Sequence, residues 1–124
     1  MTEQMSVKIA ALPSLRLTVE AHGLMAKKAL GQNFLLDQNI TDKIINLSLQ
    51  KQNKKDFSGA NVFEVGPGPG GLTRAVLAAE PKSLTVVEMD ERCIAIMNEI
   101  KEKTGDILHI INGDAMQTDF SDLA

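Results

Sequence analysis

The stretch from Val62 to Ala79 limits the fold more than any other part of the chain. A short β-rich run, Val62-Phe63-Glu64-Val65, leads through Gly66-Pro67-Gly68-Pro69-Gly70-Gly71 directly into residues spaced for a helix. Glycines admit positive φ and let the backbone approach a ligand closely. The helix behind them offers free N–H groups and a positive partial charge at its start. A simple tight turn would not need glycine and proline interleaved in this way. Leu72, Ala75, Val76 and Ala79 fall at i, i+3, i+4 and i+7, one face of a helix, which Pro81 ends. Leu84 to Glu88 reads as a second strand. Cys93, Met97 and Ile100 form the apolar stripe of the next helix, with Asp90 as its cap and Gly105 as its stop. Ile107 to Ile111 reads as a third strand, ending at Asn112-Gly113-Asp114. This βαβαβ order predicts an α/β fold, half of a doubly wound parallel sheet with right-handed crossovers.

Upstream, residues 13–22 are expected to form a short helix, with Pro13 at its start and Gly23 as its stop. Ala26 to Asp37 has no clear period and reads as a loop. Asp37 can cap a helix whose apolar face is Ile40, Ile44 and Leu47, with Ile45 beside it, running to about Lys51. The charged stretch Gln52 to Gly59 ends in a Ser58-Gly59 turn. In most sheets of this kind the first strand is central, flanked by the second and the fourth. No fourth strand follows here, so Val62–Val65 would keep an open edge. The expectation is that the 124 residues are a fragment of a longer protein and self-associate through that edge.

A chain of 124 residues that is 44% hydrophobic can bury one core. Its net charge of −3 gives no general reason to expect nucleic acid. The charge is uneven, however. Through Phe57 there are eight Lys/Arg against five Asp/Glu, and from Ser58 onward five against eleven. A basic front on an acidic body can steer a phosphate chain to one edge, although an ordinary solvated surface gives the same pattern. Cys93 is the single cysteine, so no internal disulfide forms, which fits a reducing compartment. No apolar run reaches the ~18–20 residues that span a membrane, and Met1 to Leu12 is a poor signal peptide. The expected location is the cytoplasm. Trp and Tyr are absent, so the chain is poor in platforms for stacking bases.

Three positions carry candidate chemistry. The glycine loop fits two spacings. Gly66, Gly68 and Gly71 satisfy the dinucleotide fingerprint G-x-G-x-x-G, and Gly66, Gly68 and Gly70 satisfy the E-x-G-x-G-x-G pattern of methyltransferases. Glu64 favours the second, because a carboxylate at the strand end repels a pyrophosphate and suits a cofactor bearing an ammonium and a sulfonium. The long segment before the loop also departs from dinucleotide domains, which usually open with it. Glu88, at the end of the second strand and twenty residues after Gly68, can accept both hydroxyls of an adenosine ribose. Otherwise it is a solvated strand-end carboxylate. Asp114, at the end of the third strand, can accept from an adenine amine, and by itself it equally reads as a turn or cap residue. Cys93 and the methionines read as core, His109 as structural, and His22 as serving a helix end. The Lys27-Lys28 pair can touch phosphate but more often is plain surface. No grouping has metal-ligand spacing.

Taken in order, four segments resemble one family. Lys27-Lys28-Ala29-Leu30-Gly31-Gln32-Asn33-Phe34-Leu35 is similar to the K-x-x-G-Q-N-F-L segment of ribosomal RNA adenine dimethyltransferases. Glu64-Val65-Gly66-Pro67-Gly68 with Gly71-Leu72-Thr73 resembles their glycine motif. Val86-Val87-Glu88-Met89-Asp90 and Gly113-Asp114-Ala115-Met116 match the next two. The form of the first two segments points to the branch acting on two adjacent adenines near the 3′ end of small-subunit ribosomal RNA. The residues before Lys27 lie outside the resemblance.

The resemblance implies the N-terminal part of a Rossmann-like class I methyltransferase fold. Residues 1–57 would be a helical arm and cofactor-covering segment, and residues 58–124 the first half of the S-adenosyl-L-methionine-binding domain. It implies that Asn33 and Leu35 contact the methionine part of that cofactor. Gly66 and Gly68 would shape the loop, Glu88 would hold the ribose and Asp114 the adenine amine. The implied partner is small-subunit ribosomal RNA or a pre-ribosomal subunit. Family members also carry an N-[LI]-P-[YF] motif after the fourth strand, which positions the target amine. It does not occur in these 124 residues, so no catalytic residue is expected in this chain and no methyl transfer from it alone. The alternatives are a nicotinamide-dependent oxidoreductase, which leaves Glu64 and Gly31-Gln32-Asn33-Phe34-Leu35 unexplained, and a stand-alone cofactor- or RNA-binding module.

Overall fold

The computed structural model describes residues 4–24, 37–114 and 116. Asn33 and Leu35, with the rest of the Lys27–Leu35 segment, lie outside the described residues. The elements are α1 (Met5–Ala10), α2 (Leu15–Ala21), α3 (Gln38–Lys51), β1 (Asn61–Val65), α4 (Gly71–Ala78), β2 (Ser83–Glu88), α5 (Glu91–Thr104) and β3 (Leu108–Asn112). The three strands form one parallel sheet in the order β1-β2-β3. Val62 pairs with Leu84 and Val65 with Val87, then Leu84 pairs with Leu108 and Glu88 with Asn112. The expected βαβαβ unit is present, and β1 stands at an edge of the sheet.

Local chemistry explains where the helices start. The Ser14 side chain accepts from the Leu17 amide at 3.2 Å and caps α2, which starts at Leu15 and not at Pro13. Asp37 accepts from Asn39 N at 2.9 Å and Asp90 from Arg92 N at 2.8 Å, each capping the helix that follows. α5 stops at Gly105, whose φ of 88° few other residues adopt.

One core serves the sheet, α1 and the three longer helices. Leu77 and Met97 are fully buried, together with Leu84, Val86, Ile96, Ile100 and Leu108. Ile45 and Leu49 of α3 and Ile9 of α1 belong to the same cluster. α1 has no counterpart in the sequence reading. The expected stripe of α5 is correct, extended by Ile96 and Thr104.

The expected face of α3 is not the buried one. Ile44 and Leu47 are about half exposed, and Thr41, Ile45 and Leu49 point inward. The first turn of α3 fixes this rotation. The Gln38 amide donates to the Gly71 carbonyl at 3.2 Å, and the buried Thr41 hydroxyl donates to the Gln38 carbonyl at 3.0 Å. With Gln38 and Thr41 turned toward α4, the i, i+4, i+8 row through Ile45 and Leu49 must follow. No helix among the described residues is long and apolar enough to cross a membrane.

Candidate functional site

The carboxyl ends of the parallel strands bring three loops together, where open α/β sheets bind ligands. After β1 come Gly66 to Gly70. The Gly66 amide donates to the Val87 carbonyl of β2 at 2.9 Å, and Gly70 N closes a turn on Pro67 O at 3.0 Å. Gly66, Gly68 and Gly70 have φ of 64°, 56° and 92°. A Cβ at Gly66 or Gly68 would meet nothing within 4 Å, so the space over the first half of the loop is open. A Cβ at Gly70 would lie 2.9 Å from Ile100 Cδ1 and 3.0 Å from Met97 Cε. Gly66 and Gly68 therefore leave room above the loop, and Gly70 lets it settle on α5.

Glu88 ties the second loop to the first. Its Oε1 accepts from the Gly68 amide at 3.2 Å, and its Oε2 accepts from Met89 N at 2.9 Å and Asp90 N at 3.1 Å. Its main-chain carbonyl accepts from Gly113 N at 2.9 Å, which aligns the end of β3 beside it. Asp114 follows, with Oδ1 accepting from Met116 N at 2.8 Å, a turn-forming bond. The structure thus brings Gly66, Gly68 and Glu88 together and places Asp114 on the adjacent strand end.

Glu64 lies under the loop at the end of β1. Its Oε1 accepts from the Thr73 hydroxyl at 2.7 Å, and Thr73 is fully buried. Desolvation raises the Glu64 pKa to about 7, opposed by the Thr73 bond and reinforced by the negative charge of Glu88. The sign follows from linkage. Between about 4.5 and 7 the folded state keeps a proton that the unfolded state has lost, so stability falls as pH rises through that window. The expected slope approaches ~1.4 kcal/mol per pH unit. Thermal unfolding across that range, compared with a Glu64→Gln variant, checks this. A pH profile left unchanged by Glu64→Gln would contradict it.

Cys93 is buried, as expected of a core residue, and desolvation pushes its thiol up to about 11. It is not a nucleophile. His22 caps the end of α2, with Nε2 3.1 Å from both Glu99 oxygens. His109 is exposed on β3. No cluster of three or more metal-ligating side chains occurs among the described residues. Sequence reasoning gave no role to Thr73, Arg74 or Arg92, although Thr73 stands in the glycine motif. A buried polar residue within the apolar run of α4 was the available signal for the first two.

Sequence comparison extends this picture. The profile described as ribosomal RNA adenine dimethylase matches residues 23–124. Ribosomal RNA small subunit methyltransferase A of Allorhizobium ampelinum is 50% identical over 113 residues, 91% of this chain and 39% of that protein. The protein of the same name from Mesorhizobium japonicum is 48% identical over 118 residues, 95% of this chain and 40% of that protein. The chain thus spans about 40% of the length of these relatives. A crystal structure of a proposed RNA methyltransferase from Pyrococcus horikoshii superposes with a TM-score of 0.60 at 16% identity, covering 96% of this chain and 54% of that one. That likeness concerns the fold alone and agrees with the parallel α/β architecture. With a family profile matching all but the first residues, and relatives about half identical over nine-tenths of its length, the chain belongs to the ribosomal RNA adenine dimethylase family.

Proposed function

We propose that this chain is the front part of an S-adenosyl-L-methionine-dependent enzyme that dimethylates two adjacent adenines near the 3′ end of small-subunit ribosomal RNA. The observation that carries the cofactor reading is the joined pair of loops. An open glycine turn is held by Glu88, with a second carboxyl, Glu64, beneath it. The Glu88 carboxylate suits a ribose diol, and a cation above the loop would favour the ionised form of Glu64 where a pyrophosphate would oppose it. When bound, that group supplies an electrophilic methyl carbon on a sulfonium.

The roles follow from position. Gly66 and Gly68 let the backbone come close. Glu88 receives the ribose hydroxyls. An ionised carboxylate accepts about four hydrogen bonds, and Glu88 already accepts three from backbone amides. Two hydroxyls exceed that capacity, so the longest bond, from Gly68 N, is the one to yield, freeing that N–H toward the ligand. Asp114 receives the adenine amine. Asn33 and Leu35 are assigned to the methionine end on family likeness. Residues 58–124 form the first half of the cofactor domain, and residues 1–57 an arm that covers it.

Residues able to position a target adenine belong to a motif not found in these 124 residues, so we expect the chain alone to transfer no methyl groups. The partner would be small-subunit ribosomal RNA or its precursor particle, in the cytoplasm. The open edge of β1 would let the isolated chain self-associate, and light scattering at increasing concentration measures that. The deciding experiment incubates the complete natural protein with labelled cofactor and undermethylated small subunits. Expected is label in two neighbouring adenines. Label elsewhere, or a fluorescence titration showing tight NADH binding instead, would refute the reading.

A further inference from the structure

Residues 13–24 carry the inference. The family profile starts at residue 23, yet the match to the Allorhizobium protein leaves only eleven residues of this chain unaligned and so begins no later than residue 12. That relative therefore aligns with residues 13–24, most of which lie outside the profile match. In the structure this segment forms three attachments to the helices behind the cofactor loops.

The first attachment is Arg74. It lies on α4, one residue after Thr73, and is 5% exposed. Its Nη1 donates to the Pro13 carbonyl at 2.7 Å and its Nη2 to the Thr18 hydroxyl at 3.2 Å, while Nε finds no partner. Arg74 forms no ion pair among the described residues. Burying a guanidinium without a carboxylate is unfavourable, and burial pulls its pKa down. An apolar residue would pack α4 with less penalty, so its two bonds across to the segment are the feature that needs a reason. A cleft of about 640 Å³ opens between α1, the start of the segment, α3 and α4, while Leu15, Thr18 and Val19 of the segment are buried, so the arginine bonds add to its packing.

The other two attachments are on α5. Arg92 Nη1 donates to the Gly23 carbonyl at 3.3 Å. The same guanidinium grips Asp90 through Nε at 3.2 Å and Nη2 at 2.8 Å. His22 meets Glu99, two turns further along the same face of α5. Both ends of the segment thus lead to the loops by short chains of bonds. One runs from Gly23 through Arg92 and Asp90 to Glu88 and Gly68 N. The other runs from Pro13 through Arg74, whose own amide donates to the Gly70 carbonyl at 2.9 Å.

We propose that residues 13–24 are a strap, pinned by Arg74 on α4 and Arg92 on α5, that fixes the separation of these helices and thereby presets the glycine loop and Glu88 for the cofactor. Arg74 is the positioning residue that binds the strap, and it acts on the ligand only through the loop. The cofactor part of the proposal rests on the site reading above.

The test uses the complete natural protein with Arg74→Met, which keeps the apolar stem, and Arg74→Lys, which keeps the charge but loses the two-pronged geometry. Hydrogen exchange reads the loop without ligand. Calorimetry with S-adenosylhomocysteine reads affinity, at a temperature where all proteins are folded. Expected for Arg74→Met is faster exchange at Gly66 to Gly71 with β2 amides still protected, and affinity weakened roughly two- to thirtyfold. Arg74→Lys should fall in between. A general rise in exchange that includes β2 would make Arg74 a plain stability residue and overturn the strap. Unchanged loop exchange and affinity would do the same. Failure of the parent protein to bind S-adenosylhomocysteine would refute the cofactor reading instead, and the exchange data alone would then decide whether the strap sets the loop.

Discussion

Replacing Gly70 by alanine is expected to destabilise the chain by about 2–3 kcal/mol. Two contributions add. The residue sits at φ 92°, where a Cβ costs ~1–2 kcal/mol. The new methyl group would also press on Ile100 and Met97, whose side chains are fully buried and closely packed. Overpacking of this kind costs ~1–3 kcal/mol, at the low end here because both contacts are to side-chain ends. Gly66→Ala is the internal control, since φ is 64° and a Cβ there meets open space. It should cost only the conformational part. Adding Ile100→Val to Gly70→Ala removes the methyl that collides and should recover part of the loss. Urea unfolding of the four proteins gives the comparison. Equal losses for Gly66→Ala and Gly70→Ala, with no effect of Ile100→Val, would remove Gly70 as the seat of the loop on α5.

Removing the Glu88 carboxylate should have the largest effect on ligand binding. In the proposed site it accepts two ribose hydroxyls. Hydrogen bonds to a charged acceptor contribute ~1.5 kcal/mol or more each, so Glu88→Ala should weaken S-adenosylhomocysteine binding roughly a hundredfold. Calorimetry on the complete natural protein measures it. Stability should change less, because the amides of Met89 and Asp90 lie near solvent and can turn to water. Affinity within a few-fold of the parent would show that Glu88 serves only to link the loops, as its bond to Gly68 N already does.

The parts of the fold that were legible are those set by local or periodic signals. Asp37 and Asp90 cap their helices because a short acceptor stands just before an apolar stripe. Cys93, Met97 and Ile100 face the sheet as their spacing says. The alternation of strand and helix fixed the parallel sheet, since parallel strands need long crossovers. α3 was misread because Ile44 and Ile45 are adjacent, so two apolar rows compete within one helix. The choice between them is made by Gln38 reaching Gly71, a contact spanning thirty-three positions. The glycine loop, Glu88 and Asp114 could be named because each falls at a strand end. Their coupling could not, because Glu88 acts through a side chain that bonds a backbone amide of another loop. The roles of Thr73 and Arg74 stayed hidden for a related reason. Both are polar groups in an apolar run, and their partners, Glu64 and Pro13, are no part of any repeat.

The attachments of residues 13–24 also have a consequence for the order of events during synthesis. Arg74 follows Pro13 by sixty-one positions, and Glu99 follows His22 by seventy-seven. At ~5–20 residues per second, translation makes those partners roughly three to fifteen seconds after the segment itself. The N-terminal helices must therefore wait beside the ribosome with Leu15 and Val19, both buried in the finished fold, still uncovered. A chaperone that binds short apolar helices would meet this chain at that stage, before α5 exists to receive them.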